Sequence, residues 1–169
     1  MLKHSVIHTV QGDMIVLADE KALYLLEFVG RKGLEAEIKR LHTRTKRTIL
    51  SGRTVITDLI EQELQHYFVG TLQKFTTPVV FVGSSFQKSV WEILQRIPFG
   101  TTVSYKEVAV MLGSPTAYRA VAHANATNQL ALIIPCHRVI ASGGLLGSYA
   151  AGIERKQWLL DHEKVFLKT

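Results

Sequence analysis

The residues best suited to covalent chemistry lie in the stretch 132–140, Leu-Ile-Ile-Pro-Cys-His-Arg-Val-Ile, where the only cysteine of the 169-residue chain sits between Pro135 and His137. A thiol attacks well only as its thiolate, and with an ordinary pKa of about 8.5 it needs a base to ionise at neutral pH. His137 supplies an imidazole next to Cys136, and Arg138 supplies a fixed cation. Neighbours in sequence often point apart, so the proton passes from Cys136 to His137 either directly or through a water molecule. An imidazole acting as base works best when a carboxylate fixes its tautomer and stabilises its charged form. Glu163, Glu154, Glu107 and Asp161 are candidates for that carboxylate, and spacing does not choose among them. Two plainer readings stand beside this one. Cys136 can be a small buried hydrophobe, and Cys136 with His137 can be a metal site, although two adjacent ligands without further partners make a poor one.

The chain around this stretch predicts two domains, residues 1–82 and 83–169, with the boundary at Gly83. In the first, residues 3–10, 14–18 and 22–29 are β-prone runs joined by short connections bearing Gly12-Asp13 and Asp19-Glu20, which predicts an antiparallel meander. Residues 34–41 and 57–68 carry apolar side chains at helical spacing, and the basic tract 42–48 between them reads as an exposed loop. Residues 75–82, with Pro78, read as an extended surface connector. In the second domain, Ser84 with Gln87 and Ser104 with Glu107 have the spacing of capping boxes, each opening a helix. Gly113 then marks a tight turn, and Ser114-Pro115 predicts the start of a further helix running to about residue 125. Helix, tight turn, helix is the helix-turn-helix arrangement. The fold class expected is therefore α+β: an N-terminal antiparallel β-meander with helices, then a helical, winged-helix-like domain. A Gly- and Ser-rich loop at 142–152 and a last helix at 153–163 follow the nucleophile.

Composition narrows the function classes. Hydrophobic residues make up 47% and charged residues 20%, which suits a packed core and excludes a disordered chain. A single cysteine excludes an intramolecular disulfide and the multi-cysteine zinc patterns. No apolar run approaches the ~18 residues of a membrane span, so a cytoplasmic protein is expected. The net charge of +6 permits a polyanionic partner without establishing one.

Pro135-Cys136-His137-Arg138-Val139-Ile140 resembles the active-site signature of the O6-alkylguanine-DNA alkyltransferases. The likeness extends through Phe86-Gln87, Val90-Trp91, Ile97-Pro98-Phe99-Gly100, Ser104-Tyr105, Arg119-Ala120-Val121, Gly147 with Tyr149, and Trp158-Leu159-Leu160 with His162-Glu163. It covers the second domain and, more loosely, the strand meander and Tyr67-Phe68-Val69-Gly70 of the first.

The resemblance implies direct, stoichiometric DNA repair, in which Cys136 takes the alkyl group from O6-alkylguanine, with O4-alkylthymine a candidate second substrate. His137 would deprotonate the thiol through a water, Glu163 would hold His137, and Tyr105 would give a proton to the departing purine. The partner implied is double-stranded DNA bound through its minor groove with the damaged base flipped out. Arg119 would fill the vacated space, with Ala120, Tyr118, Ser104 and Asn125 in the DNA-binding set. Asn128, Arg138, Val139, Tyr149, Ala150 and Ala151 would form and support the base pocket.

No cofactor, metal or membrane is implied, and the protein is expected to be a monomer in solution, with cooperative assembly on DNA left open, that works in the cytoplasm, on the nucleoid when DNA-bound. Three departures stand out: Gln129 where a proline is usual, Ala122-His123 where glycine is common, and Ala151 in place of a pocket-rim glycine. Zinc held by cysteines and histidines in the first domain of some members does not carry over, because those cysteines are absent. The rival assignments are a non-catalytic helix-turn-helix DNA-binding protein with a buried structural cysteine, and a cysteine hydrolase that would turn over.

Overall fold

The computed structural model describes residues 1–167. The chain divides into two compact units, Met1–Val82 and a second beginning at Gly83.

The first unit is built on strands β1 (Leu2–Thr9), β2 (Gly12–Ala18) and β3 (Leu23–Phe28), which form the expected antiparallel meander. A strand without a sequence-based expectation, β4 (Ile49–Ser51), adds in parallel to β1, giving the sheet order β3-β2-β1-β4. Three residues are too few for their alternation to stand out from the basic tract before them. That tract is not simply a loop. Helix α1 runs from Leu34 to Thr45, and the Thr43 and Thr45 hydroxyls donate to the carbonyls of Lys39 and Leu41 inside it. Arg47 is drawn onto the sheet: its Nη1 donates to Asp19 Oδ2 at 2.8 Å and to the Tyr24 hydroxyl at 3.0 Å, with the guanidinium over the Tyr24 ring.

Helix α2 (Val55–Phe68) starts two residues earlier than expected, because Thr54 and Thr57 cap it reciprocally. Leu2, Leu17, Leu25 and Leu41 form a core cluster where α1 covers the sheet. The connector at 75–82 is pinned at both ends of its first half. Glu63 of α2 is buried and accepts from the backbone N–H and hydroxyl groups of Thr76 and Thr77. Val79 bridges to Leu23 of β3, with Leu23 N–H donating to the Pro78 carbonyl at 2.8 Å. Pro78 has no N–H to give, but its carbonyl serves the sheet edge.

The second unit packs helices around the 130–140 segment. Helix α3 (Ser85–Gln95) and helix α4 (Tyr105–Met111) open on the two capping boxes legible in the sequence, Ser84 with Gln87 and Ser104 with Glu107. Gly113 takes φ 82 in the turn after α4, a left-handed geometry that suits a residue without Cβ. Helix α5 (Tyr118–Ala126) begins later than Ser114-Pro115 suggested. The Ala117 N–H donates to the Ser114 carbonyl at 2.9 Å, so 114–117 closes a separate turn and Ala117 becomes the N-cap. Trp91 ties α3 to α5 by donating from Nε1 to the Ala124 carbonyl at 2.9 Å. Two short strands, β5 (Val103–Ser104) and β6 (Val139–Ile140), pair in parallel and bring the start of α4 beside the segment after Cys136. Helix α6 (Ile153–Phe166) continues past Glu163 by most of a turn.

Candidate active site

Cys136, His137 and Arg138 form a single 3-10 turn between Pro135 and β6, and all three side chains are buried. The backbone before them is constrained. Leu132 is buried at φ 72, a left-handed conformation that costs a non-glycine residue about 1 kcal/mol or more. Asn128 holds this bend: its Nδ2 donates to the Ile134 carbonyl at 2.8 Å, and its Oδ1 accepts from the Leu130 N–H at 2.9 Å. Asn128→Ala would leave a buried carbonyl and a buried N–H without these partners. We expect it to lose about 2 kcal/mol or more of stability, seen as a lower urea midpoint with an unchanged slope.

Glu163 is the carboxylate that the geometry selects from the four candidates. Glu107 is engaged in the capping box of α4, Asp161 accepts from Gln157 Nε2 at 2.9 Å on the surface of α6, and Glu154 is exposed. Glu163 is buried, and its Oε2 meets His137 Nε2 at 2.7 Å. Arg138 grips the same carboxylate with two bonds, Nε to Oε1 at 2.8 Å and Nη2 to Oε2 at 3.0 Å, while its Nη1 donates to the Ile97 carbonyl at 2.7 Å. The Gly100 N–H adds a further bond to Oε1 at 3.2 Å.

These contacts act on the charge of both partners. Burial by itself would push the Glu163 pKa up, but the charges and hydrogen bonds of His137 and Arg138 hold it well below the usual carboxylate range. Burial pushes His137 the other way, lowering its pKa and favouring the neutral ring, with Glu163 opposing the shift. A neutral imidazole beside a carboxylate donates from Nε2, which leaves the Nδ1 lone pair able to take a proton. Nδ1 is buried and has no hydrogen-bonding protein atom among the described residues. The arrangement is a carboxylate, an oriented imidazole and an open basic nitrogen, adjacent in sequence to the only thiol.

Tyr105, at the first position of α4, is half-buried. Its pKa is raised by burial and then by the negative charge that Cys136 can carry. A protonated phenol near a developing anion is a proton donor. Gly147 lies against it: a Cβ there, at φ 73, would stand 3.2 Å from the Tyr105 hydroxyl. Val139 is buried, and Tyr149, Ala150 and Ala151 are half-buried on the loop before α6. Arg155 Nη1 secures that loop by donating to the Ala151 carbonyl at 2.7 Å.

The residues expected at a DNA surface divide. Arg119 and Ala120 are exposed on α5, and Tyr118 is half-buried with the Lys106 ammonium 5.5 Å from its ring centre. Ser104 uses its hydroxyl to cap α4. Asn125 departs from the expectation: it is buried, and its Nδ2 reaches the Cys136 carbonyl at 3.5 Å. Six residues on from Arg119, it lies roughly 120° round α5 from that side chain and supports the nucleophile's turn.

One residue of the site was missed by sequence reasoning. Lys156 of α6 is fully buried, and its Nζ donates to the carbonyls of Val139 at 2.7 Å and Ser148 at 3.2 Å. The signal was its place on one stripe of α6 with Leu159 and Glu163, three and seven residues on. Among the described residues no group of three or more His, Cys, Asp or Glu side chains converges as a metal site would.

The family model described as 6-O-methylguanine DNA methyltransferase, DNA binding domain, matches residues 85–165. A methylated-DNA–protein-cysteine methyltransferase of Methanosarcina barkeri is 39% identical over 167 residues, spanning 95% of this chain and 96% of that protein. The crystal structure of Mycobacterium tuberculosis O6-methylguanine methyltransferase superposes with a TM-score of 0.84 at 34% identity, over 100% of this chain and 96% of that one. A structure of the Mycobacterium tuberculosis protein in complex with DNA gives a TM-score of 0.83 at 34% identity, over 97% of this chain and 94% of that one.

Proposed function

The chain belongs to the methylated-DNA–protein-cysteine methyltransferase family, and from that membership we propose that it repairs O6-alkylguanine in double-stranded DNA by moving the alkyl group irreversibly to Cys136. The buried Glu163–His137 hydrogen bond beside the only thiol is the observation that carries the reading. His137 Nδ1 takes the Cys136 proton by way of a water, and Glu163 stabilises the imidazolium that results. The thiolate attacks the alkyl carbon, a C–S bond forms and the C–O6 bond breaks. The electron pair stays with guanine, and Tyr105 donates the proton that neutralises the departing base. No step regenerates the thiol, so each molecule acts once.

A guanine inside a duplex cannot reach a buried sulfur, so the base leaves the stack at a cost of a few kcal/mol. Arg119, exposed on α5, takes the vacated space, and the small side chains beside it let the helix approach the minor groove. Val139, Tyr149, Ala150 and Ala151 line the pocket for the flipped base, with Asn128 and Asn125 supporting the turn that carries Cys136. No helix among the described residues is long and apolar enough to cross a membrane, and the site of action we propose is the cytoplasm, on the nucleoid.

The test is intact-mass measurement after incubation with duplex DNA carrying O6-methylguanine. One methyl adduct per chain is expected, lost in Cys136→Ser, with product stopping at one equivalent. Continued turnover would instead indicate a hydrolase, and the absence of any adduct a binding protein only. Tyr105→Phe removes the proton donor and keeps the ring. We expect transfer to slow by about 10- to 100-fold, within the usual range for loss of a general acid, while DNA affinity measured by fluorescence anisotropy stays within about twofold.

A further inference from the structure

A buried amide oxygen without a donor is costly, and few native chains keep one without a use for it. Asn125 keeps one. It is buried on α5, and its Oδ1 accepts from no protein donor among the described residues. The other buried residues of that helix, Val121 and Ala124, are apolar, and a leucine at 125 would continue their face. Nor does the amide meet a need of its neighbour. The Cys136 carbonyl already accepts from the Val139 N–H, and Asn125 Nδ2 stands 3.5 Å away, beyond the usual hydrogen-bond range. That contact does fix which way the amide faces. Its N–H side turns to the carbonyl, because two oxygens would repel, and the acceptor is left on the other side.

The place of this acceptor identifies what can use it. It lies at the backbone of the nucleophile, on the helix that also carries Arg119. Cys136 is itself buried at rest, so whatever opening lets an alkyl carbon reach the sulfur also brings the edge of the damaged base to the amide beside it. Flipped bases are read by hydrogen bonds on their pairing edge, and here that edge is restrictive. Alkylation at O6 removes the ring N1 hydrogen, so O6-alkylguanine keeps one donor group there, the amine on C2. O4-alkylthymine loses its ring N3 hydrogen in the same way and has no donor left. We propose that Asn125 is a specificity-determining residue, whose Oδ1 accepts a hydrogen bond from the C2 amine of the flipped O6-alkylguanine. The amide selects against alkylated thymine and against any alkylated purine lacking the amine, because such a base leaves the oxygen buried and unpaired. The amine and O6 flank ring N1, so holding one sets where the other presents its alkyl carbon.

The inference rests on the repair reading and deepens it. Its test uses single-stranded oligonucleotides carrying either O6-methylguanine or O6-methylhypoxanthine, which differ only in the C2 amine. Intact mass gives the rate at which each methylates Cys136, and single strands remove the cost of extracting the base from a duplex. The parent should react about tenfold faster with O6-methylguanine, the effect of one hydrogen bond to a buried acceptor. In Asn125→Leu, or in Asn125→Ala should the leucine variant not fold, the ratio should fall to within about twofold of one. Asn128→Ala, which loosens the same turn but takes no part in reading the amine, should slow both substrates and keep the ratio.

A high ratio that survives in the Asn125 variants would overturn the proposal, since a side chain that only supports the turn affects both substrates alike. A parent ratio near one would overturn it without any variant. The two readings fail differently. If neither oligonucleotide methylates Cys136, the repair reading falls and this inference with it; if both do so at equal rates, the inference alone falls.

Discussion

Replacing Glu163 by glutamine is expected to slow alkyl transfer by about 10²- to 10⁴-fold, the range seen when a histidine base loses its carboxylate partner. Glutamine preserves shape, but its amide can donate to His137 Nε2, and the ring then carries its proton on Nδ1. The nitrogen that should accept from the thiol is blocked. The same change leaves Arg138 buried with no anion, since both of its carboxylate bonds run to Glu163. Breaking a buried pair in this way costs about 3–5 kcal/mol, a large part of the ~5–15 kcal/mol that holds a domain together.

The pH dependence separates this loss from a generic packing defect. Glu163 titrates lower in the folded chain than in the unfolded one, so the unfolded state binds the extra proton first. Its stabilisation is complete above the ordinary glutamate value of ~4.3 and is lost as the pH falls through the lower folded value. His137 adds an earlier step of the same sign. Its lowered folded pKa means that stability begins to fall as the pH drops below ~6.5. Denaturation curves at neutral and acid pH should therefore show a wide gap between parent and Glu163→Gln near pH 7 that narrows toward pH 3. A gap that stays constant would place the effect in packing and not in charge.

The second large effect belongs to Arg119. Arg119→Ala should reduce repair of duplex DNA by about 10- to 100-fold, equivalent to ~1.4–2.8 kcal/mol of the base-flipping cost, while reaction with free O6-methylguanine base changes by less than about twofold. Arg119 is exposed on α5 and has no part in the hydrogen bonds of the buried cluster, so the variant should fold normally. Equal losses on duplex and free base would remove the assignment of Arg119 to the vacated stack position. The comparison needs no structure of a complex, because the two substrates differ in whether a base must be extracted.

The parts of the molecule legible in the sequence were those with local causes. Ser84 with Gln87 and Ser104 with Glu107 announce helix starts because a capping box is satisfied within four residues. The Cys136–His137 pair stands out because a polar couple between apolar runs has few structural uses. What escaped depended on distant partners. Spacing left four carboxylates open, only the family resemblance pointed to Glu163, and in the fold it is Glu163 that meets His137, with Arg138 and Gly100 on the same carboxylate. Asn125 reads as another polar residue of an exposed helix until the Cys136 carbonyl is seen beneath it. Lys156 lies in a run, Glu154-Arg155-Lys156-Gln157, that looks like a solvated helix surface, and its burial becomes apparent only once the carbonyls of Val139 and Ser148 are in place. Strand β4 was hidden because three residues beside β1 gain their order from the neighbour and not from their own pattern.

Helix α6 follows every other element of the site in chain order and carries both Lys156 and Glu163. During synthesis, Cys136 thus leaves the ribosome before Glu163, and until this helix docks His137 lacks the carboxylate that orients it. A protein that can be used only once is in this way protected from being spent by stray electrophiles while it is still being made.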